Sequence, residues 1–581
     1  METRVGDPTG ANEAPTNLLD ALNASFAKSR RFIPCLLICI GVYLTMTFGL
    51  QFKFAGLYAG DMNENLGWAW RTLDKGAFPG DVRVDYQTTF WGWPGVAAVY
   101  SILLRVLDLE MAGKFVALGL GIVLFVVAYR IGIDQGGGRA GAAVATLVLC
   151  AMFRPVDFNL WASVYGGLPR SFAYPLIWIA ILLALQFRFW LIGGITILAA
   201  LFYPPAALLI AGTTGLYWFV LWVRDRAAAR AAIVPLACVA AVWALEMLWL
   251  AHRHLGPANW GAPPTFAQAS AMPIFLPGGT LGVIVAGSRL VCWLKTHGGV
   301  SAALCLSLLL FAPLAARGAR ANEKASRGFW FAASLLVTSL VGYGAAYAFF
   351  FRLYLPDRYV LYGGISSAWL FAYLAALAPL RRIPATARFV VLGRRWFYAS
   401  ALAVCLLSIA NLWRIAPRGD GAGHTGIYRS PIPDKMLEII RSLPKDVVIV
   451  SDLEFAGDIP FRAARSVFLT LDDLFPFHMN YFETMRSRSL AQQRALFATD
   501  WRDVDSFARD TGVGAALVDL RHYQHGRDDD WSREYPWLGL PRLASGTSFV
   551  LSTPPPKRIL AQTGNFVLVD LRRLAEGIKR D

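Results

Sequence analysis

The sequence runs to 581 residues, 56% of them hydrophobic and only 16% charged, with a formal net charge of +16. A soluble chain of this length carries far more charge, so the bilayer is the expected solvent for most of it. The positive excess does not mark a nucleic-acid groove. Residues 429–581 hold 21 basic and 21 acidic side chains, so the whole excess sits among the hydrophobic runs, as in loops retained on the cytoplasmic side.

Residues 1–31 read as a disordered cytoplasmic tail ending in a basic cluster (Lys28, Arg30, Arg31). Phe32–Leu50 lacks a small-residue cleavage site and reads as a retained first transmembrane helix rather than a signal peptide. Further apolar runs fall near 90–107, 112–130, 139–153, 171–187, 189–203, 205–223, 231–251, 280–294, 299–316, 329–351, 359–379 and 397–414. Together they give about 11–13 spans over residues 32–418, at about 20 residues per crossing. Tyr203-Pro204-Pro205 breaks the run from Phe189 to Val223, because proline removes a backbone donor. The runs 139–153 and 280–294 are short enough to be half-helices.

The densest basic clusters, 224–230, 317–327 and 381–395, are expected on the cytoplasmic side, which places loops 252–298 and 352–358 and the C-terminal domain outside. With the amino terminus also inside, an even number of crossings must precede residue 224. The runs above give seven, and 139–153 or the pair around Pro204 is the suspected miscount.

An extracytoplasmic loop at 51–89 carries Trp68, Trp70, Phe78 and Tyr86, rings that favour the membrane–water interface. Beyond a glycine-rich linker, residues 425–581 alternate helical and strand patterns. Helices are expected at 433–443, 474–498 and 504–511, with strands at 447–451, 467–470, 515–519, 548–552 and 565–570. The fold class is therefore an α-helical polytopic membrane protein with a C-terminal soluble α/β domain. The seven cysteines all lie in apolar stretches without zinc-site spacing, so neither a metal centre nor a disulfide framework is expected.

Three constellations could carry chemistry. Just past the first span, Gly60-Asp61-Met62-Asn63-Glu64 sets two carboxylates in an aromatic loop at the membrane exit, where they could act as a general base or bind a metal. The competing reading is an Asp that caps an interfacial helix starting near Met62. The second is Arg352-Leu353-Tyr354-Leu355-Pro356-Asp357-Arg358, between two late spans. Its arginine forks suit phosphate oxygens, while snorkelling to head groups is the alternative. The third is Phe153-Arg154-Pro155-Val156-Asp157 with Gly166-Gly167-Leu168-Pro169-Arg170, either a cavity lining or a plain loop. Trp68 joins Arg170, Arg352, Tyr354 and Arg358 as a candidate substrate contact. His252 with His254 makes a weak metal pair, and Glu246 is close enough to a span end to snorkel. Asp452, Glu454, Asp458, Asp472 and Asp473 follow strands in the soluble domain, where a solvated loop face is the default and a strand-edge binding site the alternative. Phe475, Phe477, His478, Tyr481 and Phe482 read as core or membrane-facing aromatics.

A first span, a long outer loop opening on Gly60-Asp61 with Glu64, an interfacial helix and about ten more spans together resemble the GT-C superfamily, polytopic glycosyltransferases that use lipid-linked sugar donors. The resemblance implies a sugar transferase in the cell membrane drawing on a polyprenyl-phosphate donor, with an envelope glycan or a protein as acceptor. It gives Asp61 the acceptor-activating role, with Glu64 second, and gives the late arginines the donor phosphate. No cofactor is implied beyond a divalent metal, and the Asp-x-x-Glu spacing differs from the adjacent acidic pair of some members. A transporter or flippase of an anionic or lipid-linked substrate is the alternative and requires charges at mid-membrane. An inactive scaffold is a third reading.

Overall fold

The computed structural model describes residues 16–53, 55–152, 165–254, 260–272, 307–320, 322–349, 353, 355–415, 427–524 and 548–572. Six helices among them are long and apolar enough to cross a membrane: Phe32–Gly49, Leu109–Ala151, Pro204–Arg224, Glu323–Ala348, Asp357–Leu380 and Ala387–Ala410. Shorter apolar helices pack between these. The chain is a helical membrane bundle followed by a soluble region with a sheet.

Part of the expected N-terminal tail is helical. Helix α1 (Leu18–Lys28) is capped by Asn17, whose side chain accepts from the Asp20 amide at 3.0 Å, and it buries Leu18, Leu19, Leu22 and Phe26. The sequence reading missed it because its apolar stripe is short and flanked by polar residues. Helix α2 (Phe32–Lys53) leads through Gly56 into strand β1 (Leu57–Ala59), helices α3 (Gly60–Asn65), α4 (Val82–Phe90) and α5 (Pro94–Leu103). Helices α6 (Leu109–Gly132) and α7 (Gly138–Met152) form a tight hairpin. Gly136 and Gly138 have positive φ at its bend, and a Cβ on Gly132 would lie 2.5 Å from Ala142 Cα. Helices α8 (Ala173–Leu185), α9 (Phe189–Phe202), α10 (Pro204–Arg224) and α11 (Arg226–His254) follow, with the break before Pro204 where proline demands it.

Contacts at the loops fix the helix directions. One end of the bundle gathers α1, the α6–α7 bend, the α8–α9 turn and the segments near 317–327 and 381–387. There Leu18 N donates to Ile383 O, Arg381 donates to Gln135 O at 2.6 Å, Arg382 donates to Arg317 O, and Arg327 lies over Phe187. At the opposite end the Gly56 amide donates to Glu110 Oε1 at 2.9 Å, so α2 leaves the bundle where α6 enters it. The run 90–107 is therefore not a span. It is broken at Trp91–Trp93, and the 10 residues of α5 reach only about 15 Å, half of a hydrocarbon core. Before residue 224, α2, the α6–α7 pair and α10 are long and apolar enough to cross a membrane, while α8 and α9, of 13 and 14 residues, are shorter apolar helices packed with them.

In the soluble region, strands β3 (Val448–Ser451), β4 (Ser466–Val467), β5 (Val513–Asp519), β6 (Ile559–Thr563) and β7 (Phe566–Asp570) form one sheet in the order β4-β3-β5-β7-β6. The pairs β3–β4 and β3–β5 are parallel; β5–β7 and β6–β7 are antiparallel. Strand β5 is buried on both faces, as its unbroken apolar run requires. Helices Met479–Leu496 and Trp501–Thr511 cover one face, and Asp434–Ser442 covers the other. The strand expected at 548–552 is a 3-10 turn, Val550–Ser552. The sequence showed no strand at β6 because this half-exposed edge alternates weakly.

Candidate active site

Strand β1 pairs antiparallel with β2 (Ile427–Arg429), Tyr58 opposite Tyr428, so the chain leaving the first span is stitched to the segment that opens the soluble domain. Helix α3 begins at Gly60, which puts Asp61 inside its first turn rather than before it. The Asp61 carboxylate pairs with Arg170, which lies on the 3-10 turn Pro169–Phe172 leading into α8. The side chains are 49% and 23% exposed, so the pair is only partly covered by the described residues. Gly166 and Gly167 take positive φ just before it, and a Cβ on Gly167 would meet Tyr100 Oη at 2.7 Å.

Tyr174 lies four residues beyond Arg170, one helical turn along the same face. Its hydroxyl donates to Leu361 O at 2.9 Å, its ring meets Tyr362 at 5.1 Å, and Arg358 is within electrostatic reach of it. Arg358 itself pairs with Asp357 at 3.7 Å. Asp61, Arg170 and Arg358 thus occupy one end of the bundle, linked through α8, and the described ion pairs of the bundle lie at its ends. Arg352 and Tyr354, like the segment Phe153–Asp157, fall outside the described residues, as do the side chains of Glu246 and His254; His252 is exposed.

Glu64 and Trp68 point elsewhere. Trp68 is buried, its indole donating to Asn65 O at 2.9 Å. Glu64 is buried with Oε1 against Gly457 of the soluble domain. Burial pushes its carboxyl well above the usual carboxylate range, and Asp472 and Asp473 push the same way. It therefore favours its protonated form, unlike a ready base.

The acidic residues read as a solvated face close onto this loop instead. The carboxyl edge of the parallel strands faces α3 and α4. Asp458, fully buried, accepts from Tyr58, Asn63, Tyr428 and Ser430. Asp473 Oδ2 lies 3.6 Å from the fully buried Arg83, whose second partner is Asp81 at 3.7 Å. Burial opposes the Arg83 charge, but the two carboxylates outweigh it and hold the guanidinium protonated. Asp472 accepts from Asn65 Nδ2 at 2.7 Å, and burial pushes its carboxyl up to about 6. Tyr481 stacks on Tyr86 at 3.7 Å beside Trp260 and His478, so that aromatic group is core. The only sequence signal for these residues was acidic density just after strands. Among the described residues no three His, Cys, Asp or Glu side chains are placed to hold a metal ion, so the described donors alone do not fit one.

No protein-family model matches the chain, and no curated protein matches it in sequence. Solved structures of an Archaeoglobus fulgidus oligosaccharyltransferase do match. Its apo form aligns with 86% of this chain and 70% of its own at 12% identity, with a TM-score of 0.50. The same archaeal enzyme in complex with an inhibitory peptide and a dolichol-phosphate aligns over 85% and 70% at 14% identity, with a TM-score of 0.47. A form tethered to an acceptor peptide aligns over 86% and 70% at 13% identity, with a TM-score of 0.46. At these identities the likeness is one of fold alone, a helical membrane part followed by a soluble C-terminal domain.

Proposed function

We propose that the protein is a membrane glycosyltransferase that moves a sugar from a polyprenyl-phosphate-linked donor to an envelope glycan or protein acceptor on the extracytoplasmic side. The observation that carries this reading is the Asp61–Arg170 pair, half open at the bundle end opposite the arginine-rich loops. By the positive-inside bias, that end and the soluble domain are extracytoplasmic. Asp61 takes the proton of the acceptor's nucleophile as that atom bonds to the sugar's anomeric carbon. The anomeric carbon–oxygen bond breaks, and its electron pair leaves with the lipid phosphate. Arg170 orients the Asp61 carboxylate, and Arg358, within electrostatic reach of Tyr174 on α8, meets the phosphate charge. Glu64, buried and favouring its proton, does not share the base role. A divalent cation would need ligands beyond the described residues, and a chelator titration of the purified protein measures whether one is required.

The test is transfer from a radiolabelled panel of polyprenyl-phosphate-linked sugars to a cell-envelope fraction, using protein in liposomes. Asp61→Asn abolishes transfer while the protein stays inserted and folded. Arg358→Ala raises the donor KM about tenfold, the loss of one charge-assisted contact. Full transfer by Asp61→Asn overturns the reading.

A further inference from the structure

The two members of the Asp61–Arg170 pair come from separate segments, and both segments rest on one point of α6. Beside Asp61, Met62 packs on Gly113 so closely that a Cβ there would fall 2.3 Å from Met62 Cε and 3.0 Å from Gly166 O. The turn that leads to Arg170 is seated on the same residue, since a Cβ on Gly167 would lie 3.0 Å from Gly113 O and 2.9 Å from Val116 Cβ. Gly166 and Gly167 both take positive φ, a conformation that glycine permits but does not by itself select, so a tertiary contact must fix the turn. The fully buried Tyr100 hydroxyl on α5 supplies it, donating to Gly167 O at 2.9 Å with Gly166 O at 3.5 Å. Beyond Gly167 the chain is stiff. The ring of Pro169 locks its φ, and the Ser171 amide donates to Leu168 O at 2.8 Å across Arg170.

We propose that Tyr100 is a positioning residue for the transfer reaction, its hydroxyl holding the Gly166-Gly167 turn so that Arg170 meets Asp61 at the reacting centre. The inference rests on the transferase reading above. It also gives a role to α5, whose 10 residues are too few to cross the membrane. Without the hydroxyl the glycine pair is free to turn and carries Arg170 away with it. The Asp61 carboxylate then loses its orientation toward the acceptor, while the donor phosphate keeps its contact at Arg358. The loss therefore falls on kcat and spares the donor KM.

The experiment measures kcat and donor KM in the liposome assay above for wild type, Tyr100→Phe, Arg170→Ala, the double variant of these two, Gly113→Ala, Gly119→Ala and Asp61→Asn. Tyr100→Phe is expected to lose about tenfold in kcat with donor KM unchanged. Because Tyr100 acts through Arg170, its replacement costs nothing further in the Arg170→Ala background, whereas a merely structural change multiplies the two losses. Gly113→Ala, which crowds the Gly166 carbonyl, loses kcat in the same way. Gly119→Ala on the same helix, where a Cβ meets nothing within 4 Å, keeps wild-type kcat. If Tyr100→Phe does not insert, Gly113→Ala replaces it in the double-variant comparison. Wild-type kcat in Tyr100→Phe overturns the inference, as do losses that multiply or a loss confined to donor KM. If Asp61→Asn is inactive while Tyr100→Phe is normal, this inference alone falls. If Asp61→Asn is active, the transferase reading falls first.

Discussion

Replacing Asp458 tests the joint between the first loop and the soluble domain. The carboxylate is fully buried and accepts from Tyr58, from Asn63 at 3.0 Å, from Tyr428 at 3.1 Å and from Ser430 at 2.5 Å. Asp458→Ala removes all four acceptor contacts at once. Tyr428 and Ser430 are half-buried and can turn to water, but Tyr58 and Asn63 are buried and cannot. Each buried donor left unsatisfied costs about 1–3 kcal/mol, so the pair costs about 2–6 kcal/mol. Relief from burying a carboxylate, whose pKa burial pushes up, offsets part of this and leaves about 1–4 kcal/mol. Asp458→Asn keeps one oxygen for Tyr58 and Asn63, and the hydroxyls opposite can accept from the new amide, so it costs about 1 kcal/mol. The assay is limited proteolysis with tryptophan-monitored melting in detergent micelles, reading undocking of the soluble domain before the bundle unfolds. The expected order of resistance is wild type, Asn, then Ala. An Asp458→Ala protein that melts and cleaves like wild type refutes the reasoning.

Two further outcomes follow from the same junction. A Cβ on Gly457 would lie 2.5 Å from Glu64 Oε1, 2.9 Å from its Cδ and 3.2 Å from the Asn63 carbonyl carbon. Because Glu64 is buried and cannot swing clear, Gly457→Ala should weaken domain docking by about 1–3 kcal/mol, and an unchanged melt would argue against that contact. The junction should also be more stable at pH 5 than at pH 8. Burial raises the carboxyl pKa of Glu64, Asp458, Asp472 and Asp473, so the folded state binds these protons more tightly than the unfolded chain does. That stabilisation is fully present below about pH 4 and is lost as pH rises through the folded values, about 6 for Asp472. His522 acts in the same sense, since Asp452 outweighs burial and holds its pKa up. Melts that rise from pH 5 to pH 8 would contradict the sign.

The sequence by itself determined that this is a helical membrane protein with a neutral α/β domain at its C-terminal end. Apolar length and charge asymmetry are local properties that no tertiary contact overrides, and the break at Pro204 is equally local because proline lacks the amide. It also singled out Asp61, Arg170 and Arg358, whose residue types at a membrane exit are costly unless used. Only the tertiary structure decided that residues 90–107 do not cross, since that depends on Gly56 meeting Glu110, 54 residues away. The same holds for the partners of the acidic residues. Asp458, Asp472 and Asp473 look solvated along the chain, and they are buried or half-buried because the carboxyl edge of a parallel sheet closes onto a loop about 400 residues earlier. Charge in a sequence reports its price in water, whereas its partner in the fold depends on which surfaces the folded chain brings together.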